Sequence, residues 1–261
     1  MAFSLMRSKQ LNLFLVALSF FTRIPVPSWV DYGEGNLNRA SRYFGVVGLV
    51  IGLLSASVFY ISQFLLPIGA AIIISMIVSV LLTGGFHEDG LADTADGFGG
   101  GWTVEDKLRI MKDSRIGTYG ALALVLVLGL KWQLLAGLGQ LSPELVCSSI
   151  IIAHTLSRVV ASSMIFSDQY VQDIDVSKVK PLANEQQKND LLILLLSGLL
   201  VLFWLSPWVI ITLLVSLISV RFWLSFVFKR QIGGYTGDTL GATQQISEIT
   251  CYIILLAMGL S

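Results

Sequence analysis

A cluster of acidic residues at positions 84–97 is the part of this sequence best suited to chemistry. Four acids fall within nine residues, directly after an apolar run: Glu88, Asp89, Asp93 and Asp96. On a helix of about 100° per residue, the three aspartates lie within about 60° of one another. Three carboxylates on one stripe repel unless a cation lies between them, and hard oxygen ligands suit Mg²⁺ or Mn²⁺. The spacing predicts a metal site; a solvated acidic helix start is the alternative.

Basic residues follow the acidic stripe in the segment 102–118. On a helix, Lys112 and Arg115 would be neighbours, while Asp113 would turn elsewhere. A metal that bridges phosphate oxygens, with basic groups on other oxygens, stabilises a transferring phosphoryl group. The combination predicts phosphoryl or diphosphate chemistry, and ordinary loop charge is the alternative for the basic residues. The absence of Gly-x-x-x-x-Gly-Lys-Ser/Thr from the sequence excludes a P-loop enzyme.

Composition assigns these residues to a membrane protein. The chain is 54% hydrophobic and 13% charged, whereas a soluble domain carries about 25% charged residues. Several runs approach the roughly 20 residues that span a bilayer. We therefore predict one all-α domain, 1–261: a polytopic integral membrane helical bundle of about seven to nine membrane helices, with 10–27 interfacial or re-entrant. Candidate spans are 43–61, 66–83, 119–140, 144–165, 190–206, 207–228 and 241–260.

The distribution of Lys and Arg predicts which segments face the cytoplasm. The segments 84–118, 166–189 and 229–240 carry nearly all of the loop Lys and Arg residues, and the opposite connections carry none. Because cytoplasmic loops are enriched in basic residues, we expect all three in the cytoplasm, with 84–118 as the active-site segment. No basic block indicates nucleic acid binding, and the sequence leaves a homo-oligomer open.

Charged residues within the predicted spans indicate a polar chamber. His154 and Arg158 are four residues apart, on one helix face, and Lys131, Arg221 and Glu248 lie in other spans. A charge at the centre of a span costs roughly 2.5–3.5 kcal/mol, so such groups usually face a cavity or a partner. Snorkelling is the interpretation we favour for Lys131 and partly for Arg221. For His154 and Arg158 we favour a buried functional role; a neutral structural histidine hydrogen-bonded within the bundle is the alternative for His154.

Two glycine-rich segments share the pattern Gly-Gly-aromatic-x-x-Asp-x-Leu. They are 84–91 and 233–240, and each follows a predicted inward-going span. The pattern suggests a parallel internal repeat, with two halves related by an axis along the membrane normal. Asp89 and Asp238 would then occupy equivalent places on opposite walls of one cavity. Chance matching of glycine-rich turns is the alternative.

The sequence resembles the cobalamin synthase family, the adenosylcobinamide-GDP ribazoletransferases. The resemblance rests on Phe-Thr-Arg-Ile-Pro-Val-Pro at 21–27, on His-x-Asp-Gly-Leu-x-Asp-Thr-x-Asp-Gly at 87–97, on 111–120, and on 233–242 followed by Glu248. These blocks extend along nearly the whole chain in the family's order. Position 88 is Glu, where the family pattern leads us to expect Leu in many relatives.

The resemblance implies an activity, a cofactor and a location. Ribazole or its 5′-phosphate would attack the β-phosphorus of adenosylcobinamide-GDP, with GMP leaving, in a bacterial cytoplasmic (inner) membrane, with Mg²⁺ as cofactor. We assign metal binding to Asp89, Asp93 and Asp96, and a catalytic role to these three and Asp238. Asp238 would complete the metal shell or orient the ribazole hydroxyl. The predicted substrate-binding residues are Lys112, Arg115, Arg23, His154, Arg158 and Glu248.

Two other classes of protein use clustered acids in membranes. A phospholipid-type phosphotransferase has Asp-x-x-Asp-Gly-x-x-Ala-Arg followed by Gly-x-x-x-Asp-x-x-x-Asp, and here the Ala-Arg and the second half are missing. A cation transporter would place its acids near the middle of the membrane rather than beside a Gly-Gly turn.

The topology predicts that residue 104 is inaccessible from outside the cell. In a chain lacking Cys147 and Cys251, a cysteine in place of Val104 should resist an impermeant thiol reagent added to intact cells. It should react once the cells are permeabilised. Labelling in intact cells would show that the predicted orientation is inverted.

Overall fold

The computed structural model describes residues 2–33, 35–171, 187–203 and 205–259. Within them the only pairing of extended backbone is an isolated parallel bridge, so the predicted all-α class is confirmed. The α-helices are α1 Ala2–Phe21, α2 Asn36–Ala40, α3 Phe44–Ser62, α4 Ile68–Thr83, α5 Phe86–Gly100, α6 Val104–Met111, α7 Thr118–Leu141, α8 Pro143–Met164, α9 Lys188–Leu200, α10 Pro207–Ile232 and α11 Gly237–Gly259.

The helices confirm a membrane protein but not the predicted number of spans. Among the described residues, four helices are long and apolar enough to cross a bilayer: the stretch Asn36–Ser62, α7, α8 and α10. The number rises to five if α4 and α5 together form one bent span. Within the described residues this is fewer than the predicted seven to nine. The 13 residues of α9 fall short of the roughly 20 needed, and polar residues interrupt α11.

The interior of the bundle is apolar towards one end and polar towards the other. Phe59, Ile72, Leu138 and Val146 belong to one buried cluster near the connections that follow α3 and α7. Burying each such side chain stabilises the bundle by about 1.5–3 kcal/mol. Buried polar residues lie mainly in the second half of α8 and the first half of α11, towards the end of the bundle where α5 begins. The predicted polar chamber is therefore located at that end.

A sharp turn at Gly84 separates the acidic helix from the apolar helix before it. The axes of α4 and α5 differ by 87°. Gly84 ends α4 with φ of 70° and Gly85 follows with φ of 73°, both in the left-handed region that glycine adopts without strain. The Arg23 N–H donates to the Leu82 carbonyl at 2.7 Å, which fixes the segment after α1 against this turn. With four acids in 15 residues, α5 is not itself a span.

Helices α5 and α11 cross with almost no space between their backbones. A Cβ atom added at Gly90 would lie 2.7 Å from the Asp238 carbonyl oxygen and 3.2 Å from the Gly241 Cα. Only glycine at position 90 permits this approach without displacing backbone atoms. The crossing brings the acidic segment 84–97 against the second glycine-rich segment, 233–240, as expected if Asp89 and Asp238 belong to one site.

The three basic segments meet at one end of the bundle. Tyr235 donates its N–H to the Gln169 carbonyl, and its own carbonyl accepts from Val171, both at 2.9 Å. The Lys107 ammonium donates to Gln231 at 2.7 Å, which joins the segment 84–118 to the end of α10. The segments 84–118 and 229–240 and the described residues 169–171 of the third segment therefore lie together. Lys178 and Lys180 lie outside the described residues.

The two glycine-rich segments are alike only where they begin. Gly84 and Gly233 each end a helix with a left-handed φ, of 70° and 86°. Gly85 then starts α5 directly, whereas the chain after Gly233 forms the bridge to Tyr170 before α11 starts. The likeness is local, and the relation between two whole halves stays a prediction.

The crossing predicts that position 90 does not tolerate a methyl group. Gly90→Ala should destabilise the protein by about 1–3 kcal/mol, because the methyl group forces α5 and α11 apart. The expected measurement is a lower thermal unfolding midpoint in detergent. Gly129→Ala in α7 is the matched control, since a Cβ there meets no atom within 4 Å. Equal midpoints for Gly90→Ala and the wild type would contradict the close approach.

Candidate active site at the crossing of α5 and α11

The three aspartates of α5 share a stripe but differ in their surroundings. Asp89 is exposed, Asp93 is half-buried and Asp96 is buried. Burial first, and then the neighbouring charges of Asp89 and Asp96, raise the pKa of Asp93 to about 6. The carboxylates therefore repel one another as the sequence predicts, and the repulsion is felt at the central residue.

Asp96 is held by the start of α7. Its two carboxylate oxygens accept hydrogen bonds from the backbone N–H groups of Gly117 and Gly120, at 2.7 and 2.8 Å. A carboxylate at a helix N-terminus satisfies unpaired N–H groups and favours the helix dipole. Among the described residues, no three His, Cys, Asp or Glu side chains are placed to hold a metal ion. The predicted shell of three aspartates is thus not formed here, and Asp89 and Asp93 are the two more accessible members.

Lys112 and Arg115 line different cavities beside the acidic helix. The expectation that they are neighbours on a helix, with Asp113 turned elsewhere, was wrong because α6 ends at Met111. In the loop that follows, the Arg115 guanidinium donates to both oxygens of Asp113, at 3.0 and 2.6 Å. Arg115 lines an open cavity of about 530 Å³ together with Asp96. Lys112 lines a separate cavity of about 220 Å³.

Asp238 lies beside the acidic helix, at the first turn of α11. Its backbone packs against Gly90, one residue after Asp89. It lines the same 220 Å³ cavity as Lys112, Thr236 and Gly237. The segments that carry Asp89 and Asp238 are therefore in direct backbone contact at the crossing, and a cavity shared by the two carboxylates stays a prediction.

Arg23 reaches the site from the N-terminal side. Its side chain is exposed, and its guanidinium lies over Gly84, so close that a Cβ there would approach Nε to 2.6 Å. The start of α5 thus has a cation beside the turn that leads to Asp89. This location is compatible with the predicted role of Arg23 in binding an anionic substrate.

His154, Arg158 and Glu248 belong to a buried polar network behind α5. Glu248 accepts from Tyr252 at 2.9 Å and from Gln244 at 2.8 Å, and His154 Nε2 lies 3.7 Å from it. Arg158 donates to the His154 carbonyl at 2.9 Å and lies 3.1 Å from Nδ1. Since Arg can only donate, Nδ1 accepts, which places the proton of a neutral ring on Nε2.

Lys131 is a member of this network, which corrects the snorkelling interpretation. Lys131 is 3% exposed, and its ammonium lies 2.5 Å from the Glu248 carboxylate. It therefore pairs with a buried carboxylate rather than reaching towards water. Arg221 bonds to Ser167 and lies 3.5 Å from Asp168. Contacts between residues far apart in the chain leave no local sequence signal, which is why these two pairings were not predicted.

The buried polar network reaches the acidic helix α5 through Glu88, to which the sequence analysis assigned no role. Gln245 donates to Glu88 at 3.1 Å and to Gln244 at 2.9 Å. Glu88 thus connects α5 to α11, and His87 beside it is buried. The polar pair Gln244 and Gln245, one turn before Glu248, was the signal available in the sequence.

Comparison with known proteins supports one family over nearly the full length. The profile of the cobalamin-5-phosphate synthase family matches residues 13–256. A relative from Shewanella frigidimarina, named adenosylcobinamide-GDP ribazoletransferase, is 64% identical over 253 residues, 97% of each chain. Relatives of the same name from Shewanella baltica and Shewanella oneidensis are 60% and 59% identical over 251 residues, 96% of each chain.

No solved structure matches the chain. The family assignment therefore rests on the profile and the curated relatives, and both cover the glycine-rich segments, the aspartates of α5 and Glu248. On this evidence the chain belongs to the cobalamin-5-phosphate synthase family.

Proposed function

We propose that this protein joins adenosylcobinamide-GDP to α-ribazole or α-ribazole 5′-phosphate and releases GMP. The observation that carries the proposal is the backbone contact between Gly90, the residue after Asp89, and Asp238 at the α5–α11 crossing. The printed name of the relatives gives the same reaction partners, adenosylcobinamide-GDP and ribazole. Neither a phospholipid-type phosphotransferase nor a cation transporter is supported by these relatives.

The donor set fits a magnesium ion that substrate helps to hold. Mg²⁺ is usually bound by one or two carboxylates together with substrate phosphates and water, rather than by a complete protein shell. Asp89 and Asp93, one turn apart on the accessible stripe, supply such a pair. When bound there, the ion would neutralise charge on the diphosphate. Asp96 would keep its bonds to the start of α7 and fix the orientation of α5.

The basic residues would bind the remaining phosphate oxygens from several sides. Arg115 lines the cavity next to Asp96, Lys112 lines the cavity next to Asp238, and Arg23 lies over the turn before Asp89. A diphosphate between them would meet cationic groups around the acidic stripe. His154 and Glu248 would act from behind α5 by holding the helices in place, because both are buried within the network.

Asp238 is the residue we propose as the acceptor of the hydroxyl proton. A ribose hydroxyl of ribazole would form a bond to the β-phosphorus and give its proton to the Asp238 carboxylate. The bond between the β-phosphorus and the oxygen bridging to the α-phosphate would break, and GMP would leave with that electron pair. GMP with a neutralised phosphate is a good leaving group, so this scheme assigns no general acid.

We further propose that the protein lies in the bacterial cytoplasmic membrane with this site towards the cytoplasm. The support is the contact between the Lys- and Arg-rich segments 84–118 and 229–240, beside residues 169–171, at the end of the bundle where the acidic helix lies. Adenosylcobinamide-GDP and ribazole would then reach the protein from the cytoplasm.

The proposed roles predict the effect of removing one carboxylate charge. Asp93→Asn should lower the rate of GMP release from adenosylcobinamide-GDP, α-ribazole and Mg²⁺ by about 100-fold or more, since charge stabilisation at the phosphate is lost. Asp106→Asn is the control, because Asp106 lies at the start of α6, where its side chain pairs with Arg109 and its backbone N–H donates to the Thr103 hydroxyl. The thermal unfolding midpoint of Asp93→Asn should match that of the wild type. If Asp93→Asn released GMP at the wild-type rate, Asp93 would not belong to the site.

The raised pKa of Asp93 predicts a pH-dependent requirement for the metal. Below a pH of about 6 the carboxyl is mainly protonated, so a binding cation must displace a proton. The Mg²⁺ concentration for half-maximal GMP release should therefore rise about tenfold for each pH unit below 6, and change little above 7. In Asp93→Asn this dependence should be absent. A wild-type requirement that is constant from pH 5 to 8 would show that no titrating carboxylate binds the ion.

A further inference from the structure

A small cavity walled by aromatic rings lies beside the proposed active site. Its walls include Phe20, Phe21, Phe44 and Phe86, and we call it the phenylalanine cavity. Its volume is about 100 Å³. The four rings come from the end of α1, the start of α3 and the start of α5, so three separate helices enclose one aromatic space.

The rings pack in the edge-to-face and stacked arrangements that aromatic side chains favour. Phe21 meets Phe44 edge to face with centroids 4.4 Å apart, and meets Phe86 in the same way at 5.7 Å. The imidazole of His87 stacks on Phe21 at 5.4 Å, with 17° between the planes. Such walls present both faces and edges, which suits a planar aromatic ligand.

The cavity also has a polar wall with an unused donor. Arg158, which is 2% exposed, lines it, and the buried Nε of Arg158 has no hydrogen-bond partner within the described part of the chain. A buried polar atom without a partner costs free energy. A ligand with a ring-nitrogen acceptor could supply that partner, whereas a hydrocarbon chain could not.

The cavity is adjacent to the reacting groups through Gly237. This residue lines both the phenylalanine cavity and the 220 Å³ cavity that contains Lys112 and Asp238. A Cβ added at Gly237 would meet no atom within 4 Å, so the space between the two cavities is open there. A molecule with an aromatic part and a sugar could therefore occupy both at once.

We propose that the phenylalanine cavity binds the aromatic base of ribazole, with the sugar passing Gly237 to reach Asp238. This assignment rests on the proposed function and adds a determinant of base specificity to it. An apolar cavity of about 150 Å³ is known to bind benzene, so one ring of the bicyclic base is the portion that this space accommodates. The second ring would lie at the mouth, beside Phe86 and Gly237.

The walls also predict which bases are preferred. A benzimidazole places carbon and methyl groups against the phenylalanine rings, and its free ring nitrogen is an acceptor. Adenine would bring an exocyclic amine into the same apolar space, where an unpaired polar group is penalised. We therefore expect the α-riboside of dimethylbenzimidazole to be bound more tightly than the α-riboside of adenine.

The test measures binding of radiolabelled α-ribazole to purified protein by equilibrium dialysis, separately from GMP release. Phe86→Ala removes a partly exposed wall, and Ser162→Leu fills the cavity from α8. Each should weaken α-ribazole binding about tenfold and raise its KM, while the KM for adenosylcobinamide-GDP stays unchanged. Phe226→Ala, on the exposed face of α10, is the matched control and should behave as wild type.

The outcomes separate this assignment from the proposed function. If both variants bind α-ribazole as the wild type does, the assignment is overturned, even when the wild type releases GMP as proposed. If the wild type binds α-ribazole but releases no GMP, and the two variants lose binding, the cavity assignment holds and the proposed reaction fails. Equal affinity of the wild type for the adenine and dimethylbenzimidazole ribosides would contradict the specificity argument.

Discussion

The buried carboxylate of Glu248 is the constraint on which the arrangement of the helices depends. Removing one partner from a buried charge pair typically costs about 3–5 kcal/mol, so an ionised Glu248 requires several partners. Lys131 comes from α7, His154 from α8, and Gln244 from α11 itself. Satisfying one side chain therefore brings three helices together in a fixed register, at the end of the bundle where the acidic helix crosses.

The acidic helix α5 lies between the buried network around Glu248 and the proposed active site. One side of α5 carries His87 and Glu88, which contact the buried groups, and the other carries Asp89 and Asp93. The 87° turn at Gly84 and the close approach at Gly90 determine how α5 crosses α11. Two of the four acids are thus used for structure, since Glu88 bonds to α11 and Asp96 to the start of α7, which leaves Asp89 and Asp93 as the residues for the proposed cation.

The proposed site and the phenylalanine cavity share the first turn of α11 as a common boundary. Asp238 and Gly237 are consecutive, and they face cavities of opposite character, one with Lys112 and one with four phenylalanines. A substrate with an apolar base and a reactive sugar would need such a change of environment over a short distance. A site at the boundary of a membrane bundle provides it, because apolar helix ends and charged loops meet there.

The sequence alone determined the fold class, the acidic stripe, the concentration of Lys and Arg in three segments and the family resemblance, because each depends on local composition and spacing. Helical periodicity places Asp89, Asp93 and Asp96 on one face whatever surrounds them. Only the tertiary structure decided how they are used: Asp96 binds backbone groups 21 and 24 residues away, and Lys131 pairs with Glu248. The phenylalanine cavity is likewise assembled from three distant segments. Periodicity fixes a direction on one helix, whereas partners across helices depend on packing, which no local pattern records.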